Sequence, residues 1–498
     1  MLADNDLLSM QQARILAENA AAAQKGLAEY PQEKLDAGVE GIASAMEAHA
    51  PELARMSCEE TGYGNVRDKE IKDLFACRAL RRAMEGVRCV GALKEDPAGN
   101  ILEVGVPRGP IAVLCPSTSP VSTTIAAALL AVKSGNAAVF CLHPRAARVM
   151  ARALDMIIEA GQRAGLPENA LSYLPLPARQ GIAELIGHPA IRLVLNSGVD
   201  RMLPLCRDCG KPMIYGGTGN GPAFIERSAD VRLAAEQIVL SKSFDYGTAP
   251  SAEQCVVVDA AVEEEARKAF QQCGAYFMTD AEASALGAML FQPDGRRRRD
   301  MVAVDAPTLA RRAGFQAPGA SVLIADRRFV SEADNYNREL LAPILPWYVE
   351  DDWRHACEKC IELLLYDRSG HSLSIHAQDP DVVRQFALKK PVARVLVNSP
   401  ACFGGMGATS RLFPAMTLGS STGLGISSDN LSPLNLVYVR HIGYADRSVG
   451  DFLRCIGAGA GTEHGQQACH AGGGDGGMEA LKQAILRSLR TTCGNNQL

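Results

Sequence analysis

The fold is decided by residues 111–141, which read IAVLCPSTSPVSTTIAAALLAVKSGNAAVFC. A short apolar run, Ile111 to Leu114, leads through a turn of small hydroxylated residues into a helical pattern from Ser122 to Lys133. A second apolar run, Ala137 to Cys141, follows the helix. A strand, a helix and another strand in this order indicate a parallel sheet that carries helices on its faces.

The same alternation continues on both sides of this unit. Towards the carboxyl end, the pattern predicts a helix from Ala146 to Ala164 and a strand from Ile191 to Leu195. Towards the amino end, apolar residues at helical spacing predict helices from Leu7 to Glu29 and from Gln32 to Gly62. Residues 1–245 are therefore predicted to form a doubly wound α/β domain with a helical lead-in.

A second cycle of strands and helices begins after Gln254. It opens with a predicted strand from Cys255 to Val258 and a predicted helix from Val262 to Cys273. This repetition indicates a second α/β domain over residues 246–426. Its later strands are predicted at Ser321–Ala325, Ile344–Tyr348, Ser372–His376 and Arg394–Val397.

The carboxyl end divides into three segments. A strand-like run from Asn435 to His441 is assigned to a β flap over residues 427–445, and glycine-rich composition predicts a linker over residues 446–477. Residues 478–498 contain an amphipathic helix from Met478 to Arg490, which indicates either a docking peptide for a partner's groove or a frayed tail. Its apolar stripe consists of Met478, Leu481, Ile485 and Leu489.

Bulk composition excludes several classes of protein. With 47% apolar and 21% charged residues, the chain is neither disordered nor membrane-like as a whole. A net charge of −5 provides no general field for a nucleic acid. The first ten residues carry no lysine or arginine, which predicts cytosolic residence, and the 15 cysteines are expected to be reduced. No transmembrane span and no metal site are predicted.

Four longer motifs occur in a fixed order, at residues 106–145, 210–225, 241–254 and 394–430. Together they resemble the CoA-acylating aldehyde dehydrogenases, including the dehydrogenase half of bifunctional aldehyde-alcohol dehydrogenases and the enzymes of bacterial microcompartments. The resemblance runs from about Leu16 to Tyr444. It implies two doubly wound α/β domains, one binding nicotinamide and one catalytic, and a small β flap for homo-oligomerisation.

The resemblance also implies the ligands, which are NAD or NADP and coenzyme A with a short aldehyde. From the residues alone, the turn before the helix at Ser122 could hold a phosphate, and the glycine cluster fits either a flat ligand or a tight turn. By resemblance, His371 and Asn398 belong to the substrate pocket. The implied cofactor-binding positions are Pro116, Ser117, His143, Pro144, Arg145, Gly198, Gly216, Gly217, Gly219 and Glu339.

The loop expected to hold the catalytic cysteine departs from the family pattern KSFDNG-x-x-C-A-S-E-Q. Residues 242–254 read KSFDYGTAPSAEQ, so Pro250 occupies the cysteine position and provides neither a thiol nor a backbone N–H. Ser119 stands where the family's TTNP turn has its oxyanion-binding asparagine. In the family, a thiolate attacks the aldehyde, a hydride passes to NAD and the acyl group passes to CoA. Every expected contribution to the oxyanion site is therefore missing or altered.

Three other residues could in principle replace the missing cysteine as the nucleophile. Cys402 lies in a segment that borders the family's substrate pocket and is the best relocated thiol, although a small buried residue is the simpler interpretation. Cys255 is expected to be packed in a strand, and Ser251 would require a strong base. The pair Cys206 and Cys209 is not expected to bind a metal.

Two functional hypotheses follow. The first is an NAD-linked, CoA-dependent oxidoreductase with a relocated thiol. The second is a non-catalytic relative that retains nucleotide binding and serves as a structural or regulatory partner. If the tail helix docks, this partner belongs to a microcompartment.

The basic run Arg296–Arg299 follows a turn signal and is expected to be a solvated loop, with attraction of CoA phosphates as the alternative.

Overall fold

The structure, a computed structural model, divides into two compact units. The first unit comprises residues 1–93 and 105–440, and the second comprises residues 94–104 and 441–498. In the part of the chain that is described, no helix is both long enough and apolar enough to cross a membrane. The described residues are 4–96, 98–217, 219–366, 370–420 and 423–457.

The elements are numbered in chain order. The helices are α1 (Asn5–Leu27), α2 (Gln32–Thr61), α3 (Val66–Leu74), α4 (Arg81–Ala83), α5 (Pro120–Lys133), α6 (Ala147–Arg163), α7 (Arg179–Gly187), α8 (Leu203–Asp208), α9 (Val231–Ser243), α10 (Glu263–Gln272), α11 (Asp280–Leu290), α12 (Ala306–Arg312), α13 (Trp353–Tyr366), α14 (Pro380–Leu388), α15 (Ala401–Gly405) and α16 (Val449–Cys455). The strands are β1 (Gly91–Glu95), β2 (Ile101–Pro107), β3 (Ile111–Leu114), β4 (Ala138–Cys141), β5 (Leu171–Leu174), β6 (Leu193–Asn196), β7 (Met213–Tyr215), β8 (Pro222–Ile225), β9 (Cys255–Asp259), β10 (Ala275–Phe277), β11 (Val322–Asp326), β12 (Ile344–Glu350), β13 (Ser372–His376), β14 (Arg394–Val397) and β15 (Val437–Gly443).

The first sheet is a parallel, Rossmann-like sheet in the order β5-β4-β3-β6-β7. Strands β3, β4 and β6 are buried along their whole length, which explains their unbroken apolar sequences. From β3 the chain turns first to one side, to β4, and later to the other side, to β6. The carboxyl ends of β3 and β6 therefore form the switch point at which open α/β sheets bind ligands.

Helix α5 begins directly after this switch point. It starts at Pro120, two residues before the predicted start, because proline is favoured in the first turn of a helix. Every residue of α5 is buried, since α2 and α6 pack against it. This burial fixes the turn before α5 against the carboxyl end of β3.

The helical lead-in agrees with the sequence pattern. Helix α1 is capped by Asp4, whose carboxylate accepts the N–H groups of Asp6 and Leu7, and α2 ends at Gly62 in the left-handed conformation. Helix α1 packs on α7 and β5, whereas α2 packs on α5 and α6. A π-helical segment, Phe75–Leu80, continues α3 into α4.

The second sheet is also parallel and has the order β10-β11-β12-β9-β8-β13-β14. The strands predicted after Gln254 are confirmed, with β13 and β14 at the predicted bounds. Strand β8 pairs with β9 and β13, so this sheet already begins at residue 222, ahead of the expected domain boundary at 245. The sequence of a buried four-residue strand does not indicate which sheet the strand joins. Residues 222–225 were therefore included in the first predicted domain, residues 1–245.

A third, three-stranded sheet has the order β1-β2-β15. Strand β15 starts two residues later than predicted, because residues 433–436 form a helical turn. In the second unit, Tyr444 N–H donates to the Asn100 carbonyl, 2.9 Å away. The linker predicted over 446–477 contains the capped helix α16, so that prediction is wrong for its first residues. The predicted helix at 478–498 lies outside the described residues.

Candidate functional site

A cavity of about 260 Å³ opens at the carboxyl ends of β3 and β6. Residues far apart in the sequence meet there, as expected for a ligand site at a switch point. It is lined by the following predicted residues: Pro116, Ser117, Ser119, His143, Gly198, Gly216, Gly217, Gly219, Pro250, Glu339 and His371.

The turn between β3 and α5 forms one wall of this cavity. Ser119 is the N-cap residue of α5, yet its side chain makes no capping hydrogen bond. The N–H groups in the first turn of a helix lack intrahelical partners, and this end of the helix carries a partial positive charge. The wall therefore favours an anionic or carbonyl oxygen.

The glycine segment beside it has two roles. Gly217 adopts φ 67°, and a Cβ atom there would lie 2.6 Å from the Cβ of Ser420. A Cβ on Gly221 would lie 2.1 Å from the Ser372 carbonyl oxygen. These two glycines are required by the protein's own packing, while Gly216 and Gly219 leave the cavity wall free of side chains.

Glu339 is held in place at the cavity by two partners. Its Oε1 accepts the N–H of Gly219 at 2.8 Å, and its Oε2 forms an ion pair with Arg297 at 2.9 Å. The Arg297 side chain is 26% exposed, and its Nε also donates to the Glu339 carbonyl. The prediction of a solvated loop for Arg296–Arg299 is therefore wrong for Arg297, because Glu339 draws it into the cavity.

A second cavity, of about 810 Å³, shares Ser117 and His143 with the first. Pro144 and Arg145 line this second cavity instead of the first one. The Glu60 carboxylate, which also lines it, accepts two backbone N–H groups at the start of α6. Five arginines contribute to its wall, namely Arg145, Arg148, Arg179, Arg201 and Arg299.

The electrostatics of the second cavity are positive. Burial and, to a smaller extent, the nearby Arg145, Arg299 and Arg201 together lower the pKa of His143 to about 4, so the imidazole is neutral. Those three arginines form no ion pair with a carboxylate in the described residues. Guanidinium groups without a carboxylate partner are suited to bind phosphate.

His371 also lines the first cavity. Burial, and then the nearby Arg394, lower its pKa well below the usual range, so this ring is neutral as well. Its Nδ1 lies 2.8 Å from the Ser372 hydroxyl. His371 can therefore exchange hydrogen bonds with a neutral ligand, but it brings no positive charge.

The loop around Pro250 is strained. Asp245, Tyr246 and Ser251 have φ values of 46°, 53° and 58°, which are unfavourable for residues with a side chain. The Ser251 hydroxyl donates to the Ala401 carbonyl at 2.8 Å and is not positioned as a nucleophile. Pro250 lines the cavity, and no cysteine belongs to the described wall around it. The strained loop is present, but it carries no thiol.

A buried charge cluster lies behind Ser119. Lys72 Nζ donates to the Ser119 hydroxyl at 2.7 Å and forms a short ion pair with Asp245. Lys69 Nζ reaches the same Asp245 carboxylate at 3.0 Å. All three charged side chains are at most 3% exposed. Asp245 keeps a lowered pKa because the two ammonium groups outweigh the effect of its burial.

The structure does not place Cys402 at the cavity. Its side chain is fully buried against Phe244, Ala249 and Ala252, and burial raises the pKa of its thiol. A thiol in this position is protonated and shielded, so the hypothesis of a relocated nucleophile has no structural support. Packing of a small apolar side chain explains the residue fully.

Asn398 has a structural role instead of the expected one in the substrate pocket. Its amide exchanges two hydrogen bonds with the backbone of Ala377, at 2.9 and 2.8 Å. It adopts φ 49°, which asparagine tolerates, and it does not line either cavity. These two bonds fix the amide against the backbone of Ala377, outside both cavities.

The remaining cysteines considered from the sequence are packed. Cys255 begins β9 and is buried against the second sheet's core, as expected. Cys206 and Cys209 lie at the end of α8, where the Cys209 thiol donates to the Cys206 carbonyl. None of these three cysteines lines either cavity.

Sequence reasoning missed Lys69, Lys72, Asp245 and Arg297. The two lysines occur in the polar sequence RDKEIKD, which is typical of an exposed helix. Their spacing of three residues places them on one helical face, but nothing local shows that this face is buried. Only the tertiary contact with Asp245 identifies them.

Comparison with known proteins agrees with this architecture. A model described as "Aldehyde dehydrogenase family" matches residues 2–303. An aldehyde-alcohol dehydrogenase of Streptococcus pneumoniae is 33% identical over 411 residues, which cover 80% of this chain and 46% of that protein. This chain thus spans about half the length of the curated relatives that it first matches.

Several solved structures share the fold. A probable aldehyde dehydrogenase from Listeria monocytogenes has a TM-score of 0.88 at 41% identity, over 90% of this chain and 100% of that one. An acetylating aldehyde dehydrogenase from Geobacillus thermoglucosidasius has a TM-score of 0.87 at 35% identity, over 90% and 99%. A propionaldehyde dehydrogenase from a fucose utilisation microcompartment of Clostridium phytofermentans has a TM-score of 0.78 at 27% identity, over 87% and 97%.

Proposed function

The chain belongs to the aldehyde dehydrogenase family, and on that premise we propose that it binds a nicotinamide dinucleotide and coenzyme A. Its relatives and structural neighbours are acylating aldehyde dehydrogenases, as the resemblance predicted. Enzymes of this class convert an aldehyde, NAD and CoA into acyl-CoA and NADH. For this chain, binding of the dinucleotide and of coenzyme A is a proposal, and the residues that line the two cavities support it.

The residues present fit such ligands. The first turn of α5 offers a positive helix end to a phosphate, and Glu339 offers a fixed carboxylate to ribose hydroxyl groups. The arginines of the second cavity suit the additional phosphate that NADP and CoA carry on the adenosine ribose. A bound dinucleotide would supply the hydride acceptor for an oxidation.

The observation that decides the proposed activity is Pro250 at the cavity. Formation of an acyl thioester on the protein requires a thiolate, and Cys402, the best alternative, is buried away from the cavity. We therefore propose a nucleotide-binding member of the acylating type in which cysteine-dependent aldehyde oxidation is lost. Its role is that of a structural or regulatory partner of an intact relative.

Two arms of one experiment test this proposal. Calorimetric titration with NAD, NADP and CoA should show binding, and NADH formation from a panel of short aldehydes with NAD and CoA should be absent. The Arg145→Gln variant should weaken CoA more than dephospho-CoA, because only CoA carries the ribose phosphate. Cysteine-dependent NADH formation would overturn the loss of activity, and failure to bind any nucleotide would overturn the binding.

Assembly is a further part of the proposal. One structural neighbour comes from a microcompartment, which supports placing this chain in such an assembly. Strand β15 presents Tyr438 and Val439, which are 49% and 44% exposed and suited to an oligomer contact. Deletion of residues 458–498 should abolish co-purification with shell particles and leave nucleotide binding intact. Unchanged co-purification would exclude the tail helix as the docking peptide.

A further inference from the structure

The pair formed by Ser119 and Lys72 is not explained by nucleotide binding. Their Oγ and Nζ atoms lie 2.7 Å apart, and both residues are at most 4% exposed. Ser119 lines the cavity and its side chain does not cap α5, and within the described residues Lys72 Nζ is the side-chain partner of its hydroxyl. A hydroxyl in contact with a buried amine is the arrangement of a nucleophile and its base.

The surrounding charges allow Lys72 to lose a proton. Lys69 and Lys72 share one carboxylate, that of Asp245. The other buried carboxyl group, Asp73, has a pKa raised well above its usual value by burial, and no described partner contacts its Oδ2. Two ammonium groups facing one carboxylate leave excess positive charge in a buried site, which is unfavourable. Burial accordingly lowers the pKa of Lys72.

We propose that Ser119 and Lys72 act as nucleophile and general base in the hydrolysis of acyl thioesters of CoA. The choice of a CoA thioester rests on the proposed binding of CoA to this cavity. The helix end at Ser119 is a favourable environment for the negative charge that develops when a carbonyl is attacked. In this proposal, the hydroxyl at the start of α5 takes the place of the thiol that the loop lacks.

The reaction balances without an added oxidant or reductant. Ser119 Oγ attacks the thioester carbonyl carbon while Lys72 Nζ takes the hydroxyl proton. The carbon–sulfur bond then breaks, and the leaving CoA thiolate receives that proton from Lys72. Water attacks the resulting serine ester, again giving its proton to Lys72, and this proton passes to Ser119 Oγ as the carboxylic acid leaves. The products are free CoA and a carboxylic acid.

The first test measures CoA release from acetyl-CoA by chromatography, with the full chain. The Ser119→Ala variant should lose at least about 100-fold in rate, because nucleophile and base act together. Ser122→Ala is the matched control, since it removes a hydroxyl from the first turn of α5 that does not line the cavity, and it should keep the rate. Release by the wild type no faster than by Ser119→Ala would overturn the proposal.

The second test concerns the base. Lys72→Arg keeps a positive charge beside Asp245 and a donor to Ser119, but a guanidinium does not give up its proton. This variant should fold and bind CoA, yet release CoA at least about 100-fold more slowly. The wild-type rate should rise with pH as Lys72 loses its proton. A wild-type rate in Lys72→Arg, or a pH-independent rate, would show that Lys72 has only a structural role and overturn the proposal.

A third readout separates this proposal from that of CoA binding. p-Nitrophenyl acetate needs no CoA site, so its Ser119-dependent hydrolysis should persist even if calorimetry shows no CoA binding. Mass spectrometry of a short-time sample should find the acetyl group on the peptide that contains Ser119. Acetylation confined to cysteine or lysine side chains would overturn the assignment of the nucleophile.

Discussion

Two sides of the candidate site, the nucleotide side and the thiol side, differ in how closely their residues match the family pattern. The nucleotide side has the helix end at α5, the Glu339–Arg297 pair and a second cavity rich in arginine. The thiol side consists of the strained loop, which carries Pro250, and of Ser119, which lines the same cavity. Under the proposed function, nucleotide binding is distributed over many residues, whereas the loss of aldehyde oxidation follows from the two positions Ser119 and Pro250.

The largest expected effect concerns the buried charge cluster of Asp245, Lys69 and Lys72 behind Ser119. Asp245→Asn keeps the shape of the side chain but leaves Lys69 and Lys72 without their buried counter-charge. The free energy of unfolding should fall by about 3–5 kcal/mol, as measured by urea denaturation. The control is Glu236→Gln, which breaks an exposed ion pair with Arg232 and should change stability by less than about 0.5 kcal/mol. Equal effects would show that the cluster is not a buried unit.

The next prediction restores the lost chemistry. Pro250→Cys returns a thiol to the cavity, and adding Ser119→Asn returns an amide donor for the oxyanion. NADH formation from acetaldehyde, NAD and CoA should be faster in the double variant than in Pro250→Cys by about 100- to 1000-fold. Ser119→Asn alone should remain inactive. Equal rates in the single and double cysteine variants would contradict the assignment of Ser119 to the oxyanion site.

The next prediction concerns the buried carboxyl group of Glu253, which makes the stability of the chain depend on pH. Burial raises the pKa of Glu253 to about 7, so the folded chain binds this proton more tightly than the unfolded chain. The stability from Glu253 is fully present below its ordinary pKa and is lost as the pH rises through about 7. Between about pH 5 and about pH 8, the wild type should lose about 2.5 kcal/mol more than Glu253→Gln in urea denaturation. Parallel profiles would contradict the raised pKa.

The smallest effect is expected on the nucleotide side. Glu339→Gln weakens the ion pair with Arg297 and changes a single contact among many. The Kd for NAD in calorimetry should rise about 10-fold, equivalent to about 1.4 kcal/mol. Asp300→Asn is the control, because its exposed pair with Arg298 lies on the same segment outside the cavity. A comparable loss in both variants would argue against a specific role for Glu339.

Much of the fold was predictable from the sequence because its strands are buried on both faces. Strands β3, β13 and β14 occur at the predicted bounds: β3 is an unbroken apolar run, β14 has three apolar residues in succession, and β13 alternates apolar with polar residues. Strand β7 and strand β10 were missed because each has only three residues. The sheet to which β8 belongs depends on long-range pairing, which a local pattern does not contain.

The site was predictable only where a motif carried it. The positions around Ser117, Gly216 and Pro250 followed from long motifs in a fixed order, and they line one cavity. Asn398 and Cys402 followed from the same motifs but face the protein's own backbone and core. The partnership of Lys72 with Ser119 has no local signature, since it depends on burial of a polar helix.

The most direct test of the central claim is NADH formation from acetaldehyde, NAD and CoA by a sample whose NAD binding has been established by calorimetry. The account predicts that this sample binds NAD and forms no NADH above the rate without protein. NADH formation by the wild type that is abolished by a thiol-alkylating reagent would contradict it, because a functional thiol would then serve the cavity that Pro250 lines.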